Sequence, residues 1–194
     1  MLETTETLIS IFLGIGLAAS VGFRIFVPLF ALSLASYFGV IPLNESWEWV
    51  GSVTAICTLG IATILEVLAY YIPVFDNLLD TIAVPLAAIA GTAVVVSTAA
   101  NLDPIVTWSL AIIAGGGTAA AIKGSAATTR AASTTTTAGL ANPIVSTVET
   151  GSATVMTIVA IFLPILAIII VIGLLLGVFF FFKKIRSKFK KKQV

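Results

Sequence analysis

The chain has 194 residues, of which 59% are hydrophobic and only 10% charged, and its mean hydropathy is +1.15. A water-soluble domain needs roughly a quarter charged residues to cover its surface, so lipid must be the main solvent of this chain. Ten Lys and Arg against nine Asp and Glu leave a net charge of +1; with no His and one Cys, Cys57, an intrachain disulfide, a thiolate metal centre and a histidine proton shuttle are excluded.

The N-terminal MLETTETLIS carries Glu3 and Glu6 where a cleavable leader needs positive charge, so the first apolar segment is expected to stay in the mature protein. A helix needs about 20 apolar residues to cross a hydrocarbon core of roughly 30 Å. Residues 7–21, 23–40, 47–72, 81–100, 105–122 and 152–182 are the candidates. The first two are nearly fused across Gly22-Phe23-Arg24, with Pro28 just beyond, and two readings stand: two crossings joined by a very tight turn, or a re-entrant helix that stops part-way. Residues 125–150 are rich in Ala, Thr and Ser and contain Arg130 and Asn142-Pro143. Such a polar helix can cross only if it is packed in protein or lines a wet cavity. The expected fold is all-α, a polytopic transmembrane bundle of five to seven segments with a re-entrant or broken helix near Arg24 and a polar helix over 125–150.

The last twelve residues, 183–194, hold seven of the ten basic residues and follow an uncharged apolar run. This junction reads as a span whose C-terminal end is held in the cytoplasm. The chain therefore divides into one integral-membrane domain, 1–182, and a basic cytoplasmic tail, 183–194. Counting back from that tail puts Lys123, Arg130, Arg24 and the 73–80 loop inside, and Glu149, Asp103, Glu45, Glu48, Glu3 and Glu6 outside. Every cation then lies on the cytoplasmic side, as the positive-inside rule asks. The expected location is the inner membrane of a bacterium, multi-pass.

Local punctuation marks the ends. Asp103-Pro104 and Asn142-Pro143 place a capping side chain before a proline at the first helical position, and Asp80 is read as the cap of a helix beginning at Thr81. Gly14, Ala18 and Gly22 share one face, as do Gly173 and Gly177, which predicts close helix contacts. Gly115-Gly116-Gly117 exceeds what packing needs and predicts a bent or thinned helix.

Few residues can carry chemistry. Arg24 lies between two apolar segments, where an arginine marks a pathway or partner unless it snorkels to the headgroups. Glu66 stands six residues before Ile72, about 9 Å along a helix. At that depth its carboxyl must be protonated or paired, and Arg24 and Arg130 are the natural counter-ions. Asp76 and Asp80 follow on the loop. Lys123 and Arg130, seven residues apart on one helix face, are interleaved with Ser125 and Thr129. That inventory suits an anion, which takes charge-assisted bonds from Lys and Arg and others from hydroxyls. Asn142, Ser146, Thr147 and Glu149 extend the polar line. No metal-ligand cluster and no cofactor motif is present.

These residues carry a resemblance. Gly22-Phe23-Arg24 with Pro28, Glu66 with Pro73, Asp76 and Asp80, and 123–130 with Asn142 and Ser146 to Glu149 resemble a bacterial integral-membrane family, domain of unknown function 4126, over most of residues 7–165. Where its members carry a histidine shortly before the lysine, this chain has Ala119–Ala121. The resemblance implies a membrane protein and points to the same polar residues without supplying an activity.

The function expected from the residues is a transporter or channel-like protein for a small anion or a phosphate-bearing lipid. Arg24, Lys123, Arg130, Ser125, Thr129 and Asn142 would bind it, and Glu66, Asp76, Asp80 and Glu149 would compete for the cations or carry a proton. A non-transporting scaffold or accessory subunit is the alternative. An enzyme is not expected, because there is no His and no Gly-x-Ser-x-Gly. Expected partners are the bilayer, anionic lipids at the basic tail and a second copy of the chain; nucleic acid is not among them.

Overall fold

In the computed structural model the described residues, 2–100 and 102–190, form an all-α bundle; side chains are described for 4–72, 79–100 and 102–184. The helices are α1 (Leu2–Phe23), α2 (Phe26–Tyr37), α3 (Val53–Ala69), α4 (Pro73–Thr98), α5 (Pro104–Leu110), α6 (Gly117–Thr137), α7 (Asn142–Phe162) and α8 (Pro164–Lys190). A 3₁₀ turn, Glu45–Gly51, precedes α3, and a π-helical segment, Ala111–Gly116, joins α5 to α6. Five stretches are long and apolar enough to cross a membrane: Thr4–Phe23, Leu79–Thr98, Pro104–Thr137, Asn142–Phe162 and Pro164–Lys184.

Proline sets several starts. Pro73, Pro104 and Pro143 sit in the first turn of their helices, where a missing N–H costs nothing. Asp103 caps α5 as expected, accepting from the Ile105 amide at 2.8 Å. Proline also overturns one expectation: 152–182 is not a single span. Leu163 leaves the helical conformation at φ −136°, and α8 restarts at Pro164, which has no N–H to continue α7. Nor is 125–150 a crossing of its own. Its first half completes α6 and its second half opens α7, separated by a turn in which Ala138 and Gly139 take φ of 52° and 85°. One crossing thus replaces another, and Glu149 comes to lie at the same end of the bundle as Arg24 and Arg130, not at the opposite end.

Of the two readings at 23–40, the structure has a tight reversal followed by a short helix. α2 has 12 residues, about 18 Å at 1.5 Å per residue, well short of a full crossing. It runs back alongside α3, with Gly60 against Phe30 and the Ser33 hydroxyl on the Val50 carbonyl. The segment 47–72 is likewise broken, its 3₁₀ turn meeting α3 at 64°.

α1 is central and meets α4, α6, α7 and α8. Small residues allow this. A Cβ on Gly16 would lie 2.9 Å from both Ala160 of α7 and Ala167 of α8, and one on Gly22 would lie 2.6 Å from Ile122 of α6. Gly91 of α4 and Gly115 of the π segment bring two backbones together, since a Cβ on Gly115 would meet the Gly91 carbonyl at 2.6 Å. Two of the three glycines thus lie in a π-helical, widened segment, not the bent or thinned helix expected from their composition. Gly173 and Gly177 meet nothing, so the contact expected there is absent among the described residues.

Candidate functional site

The span of α1, Thr4–Phe23, has 20 residues and measures about 30 Å, so Arg24 stands at one edge of the hydrocarbon layer. Lys123 is reached after a similar rise from Pro104 on the parallel α5–α6 rod. Both side chains are nonetheless enclosed, Arg24 at 0% exposure and Lys123 at 1%. The reason is the break between α1 and α2. A helix ending here leaves carbonyls unpaired, and one starting here leaves amides unpaired. Lys123 Nζ donates to the Phe23 carbonyl at 3.1 Å, closing the C-terminus of α1. Glu66 accepts from the amides of Ile25 (2.8 Å, Oε1) and Phe26 (2.9 Å, Oε2), closing the N-terminus of α2. A cation at a helix C-terminus and a carboxylate at an N-terminus are the signs the helix dipole favours.

This corrects the expected pairing of Glu66. Its carboxylate is spent on two backbone donors and forms no ion pair with Arg24 or Arg130 among the described residues. Those arginines turn to α7. Arg24 donates from Nε to Thr150 Oγ1 (3.0 Å) and from Nη2 to the Ser146 carbonyl (3.0 Å) and hydroxyl, and Nη2 lies 3.7 Å from Glu149 Oε2. Its Nη1 has no hydrogen-bond partner among the described residues. Arg130 holds Glu149 side-on, Nε to Oε1 at 3.1 Å and Nη2 to Oε2, and its Nε lies 3.9 Å from Asp80 Oδ2.

Tyr70 stands at the middle of these groups. The guanidinium carbons of Arg24 and Arg130 lie 4.0 and 4.2 Å from its ring centroid, and Lys123 Nζ 5.1 Å. The ring's negative face attracts all of them, more strongly where water is excluded. Tyr70 was not legible as a site residue, because an aromatic at the end of a span ordinarily belongs to the interfacial belt. Its neighbour Tyr71 behaves that way, exposed and bonded to Thr147 through its hydroxyl at 2.9 Å.

Arg24, Lys123, Arg130, Glu66, Asp80 and Glu149 are thus brought together. Asp80 is not a helix cap: it lies within α4, where it faces Arg130. Asn142 is not a cap either; it is the first residue of α7 and donates to Thr134 Oγ1 at 3.0 Å, tying α7 back to α6. Ser125 and Thr129 stay out of the site, because their hydroxyls bond the carbonyls of Ile122 (2.8 Å) and Ser125 (3.0 Å) on their own helix. Thr128, Thr135, Thr136 and Thr137 do the same, whereas Thr134 accepts from Asn142 and the buried Ser133 hydroxyl has no partner among the described residues. The Asp76 side chain lies outside the described residues, as do the side chains of 185–194 in the basic tail.

An apolar cleft of about 280 Å³ between α2, α3 and α4 adjoins the cluster. Leu65, Ile82 and Leu86 open it to the lipid side, and Glu66 and Tyr70 line its polar part.

Residues 11–184 match the family described as Domain of unknown function (DUF4126), and the chain belongs to it. Comparison with curated proteins and with solved structures returns no match.

Proposed function

We propose that this chain is a membrane carrier for a small anion, with Arg24, Lys123 and Arg130 as its binding groups. The observation that carries the reading is the concentration of these three cations around one aromatic ring, nearly free of solvent, at a break between two helices. Enclosing one charge so fully in protein is costly, and ionisable groups kept inside a helix bundle usually mark a route. Broken helices meeting at a buried polar site are a recurrent plan of transporters. A small anion fits better than a phosphate-bearing lipid, because Arg24 and Lys123 are enclosed at 0% and 1% exposure and leave no opening for a headgroup with its chains. Glu66 couples the site to protons: protonated, it would accept from only one of the two amides it now holds and release the start of α2. Asp80 and Glu149 balance the cations when no anion is bound. The expected setting is the cytoplasmic membrane of a bacterium, the basic tail inside on anionic lipid.

The balance of charge also favours a second reading, a scaffold without transport. Among the described side chains three cations face three carboxylates, Glu66, Asp80 and Glu149, an arrangement that would serve as a clamp alone. Flux decides. Proteoliposomes holding wild type, Arg130→Ala or Glu66→Gln are loaded with labelled formate, acetate or phosphate. Loss of flux in both variants supports the carrier, and equal flux in all three removes these residues from any pathway.

A further inference from the structure

Among the described side chains, Glu149 is the one carboxylate that both arginines approach. Arg130 takes it side-on through Nε and Nη2, the planar fork by which guanidinium recognises carboxylate. Beside it the donors are not used up. Arg24 is fully buried, yet its Nη1 has no hydrogen-bond partner among the described residues. Lys123 spends a single bond on Phe23, although an ammonium has three donors. A structural ion pair would gain nothing from leaving donors idle where protein encloses them, since each unmade bond has a cost.

Two features define what those donors would take. The first is shape. Arg24 and Arg130 both lie within 4.2 Å of the centroid of Tyr70 and both approach Glu149, so the group they already hold is a planar carboxylate, and another planar oxyanion in its place would meet the same donors. The second is charge. Removing Glu149 takes away the one negative charge that both arginines approach among the described side chains. One negative charge restores balance and two would overshoot, which disfavours phosphate as the dianion.

We infer that Glu149 fills, with its own carboxylate, the slot of a small monovalent carboxylate that displaces it. This deepens the carrier reading and rests on it: the substrate class is a small organic acid anion such as formate or acetate, and Glu149 is the internal competitor that holds the site closed without it.

The test is chemical rescue. Glu149→Ala, purified in detergent, is melted across a series of formate, acetate, phosphate and sulfate concentrations at matched ionic strength, beside wild type. The melting temperature of the variant is expected to rise with the logarithm of formate or acetate concentration, as binding to the folded state requires. Wild type, in which Glu149 competes for the slot, should respond only at much higher concentrations, and adding Arg130→Met should abolish the effect. Glu149→Gln keeps the shape and one acceptor oxygen, and guards against a variant that does not fold; its uncompensated charge should give a smaller rise with formate. No rise in either variant overturns the inference, and so does a rise with phosphate or sulfate as large as that with formate. Rescue by formate without formate flux through wild type in liposomes would leave the slot standing and remove the carrier.

Discussion

Glu66→Gln tests the joint on which the site is built. The wild-type carboxylate accepts from two successive buried amides, Ile25 at 2.8 Å and Phe26 at 2.9 Å, and supplies the negative charge at the start of α2. Glutamine keeps the volume and one acceptor oxygen, but its NH₂ then points at the second amide, and two donors face each other. A hydrogen bond to a charged group contributes about 1.5–3 kcal/mol, and a buried donor left unpaired costs about 1–3 kcal/mol. Loss of the counter-charge at a helix N-terminus removes up to ~2 kcal/mol more. Since one bond survives, the net cost should be about 2–4 kcal/mol. Glu66→Asp keeps the charge but withdraws it by one methylene and should fall between the two. Global stability is read by reversible unfolding in mixed detergent micelles, and the local effect by hydrogen exchange of a peptide covering 23–30. Exchange at Ile25 and Phe26 should rise in Glu66→Gln while α7 is unaffected. Wild-type exchange at those amides, with stability unchanged, would refute the capping argument and with it the account of why Arg24 is enclosed.

Further expectations follow from the same geometry. Arg130→Met and Glu149→Leu should each cost about 3–5 kcal/mol by leaving a buried charge uncompensated, whereas the double variant should recover most of that loss; the coupling is read from a double-mutant cycle of unfolding free energies. Tyr70→Leu removes a ring that two guanidiniums stack on and should cost about 1–4 kcal/mol, while Tyr70→Phe should be near neutral, by thermal melting of the two side by side. Gly115→Ala must push against the Gly91 carbonyl, 2.6 Å from the new Cβ, and should cost about 1–3 kcal/mol. Gly117→Ala, two residues on, meets open space and should stabilise by up to ~1 kcal/mol through helix propensity alone, so the pair separates packing from propensity in one melting experiment.

What composition and hydropathy made legible was the class: an all-α bundle that lipid surrounds, with Arg24, Lys123 and Arg130 gathered at one end. They could not show where a long apolar run breaks. In 152–182 the decisive residue, Pro164, sits among residues of uniformly high hydropathy, and a sliding average passes over it; only the missing N–H, a backbone property, divides the run into α7 and α8. The converse error came at 125–150, where polarity looked like a separate element because hydroxyls count as polar in any scale. In the helix most of the threonine hydroxyls return to a carbonyl of their own preceding turn, as Thr128 does to Gly124 and Thr136 to Ala132, and the segment continues the helices on either side of it.

The site followed the same division. Isolated charges in an apolar chain are conspicuous, and Arg24, Lys123, Arg130, Glu66, Asp80 and Glu149 do converge. Which carboxylate meets which cation was not legible, because that depends on where a helix ends. Pairing by charge alone assigns Glu66 to an arginine; pairing by unsatisfied backbone assigns it to the two amides that begin α2. The second rule prevails here because Ile25 N–H is buried and has no carbonyl four residues back to bond, whereas Arg24 and Arg130 can reach α7. Once Glu66 is so engaged, Glu149 becomes the shared partner of both arginines. The competition between Glu149 and an incoming anion is therefore a consequence of the helix break, and a variant that repairs the break by freeing Glu66 should shift the arginines toward it and weaken the hold on Glu149.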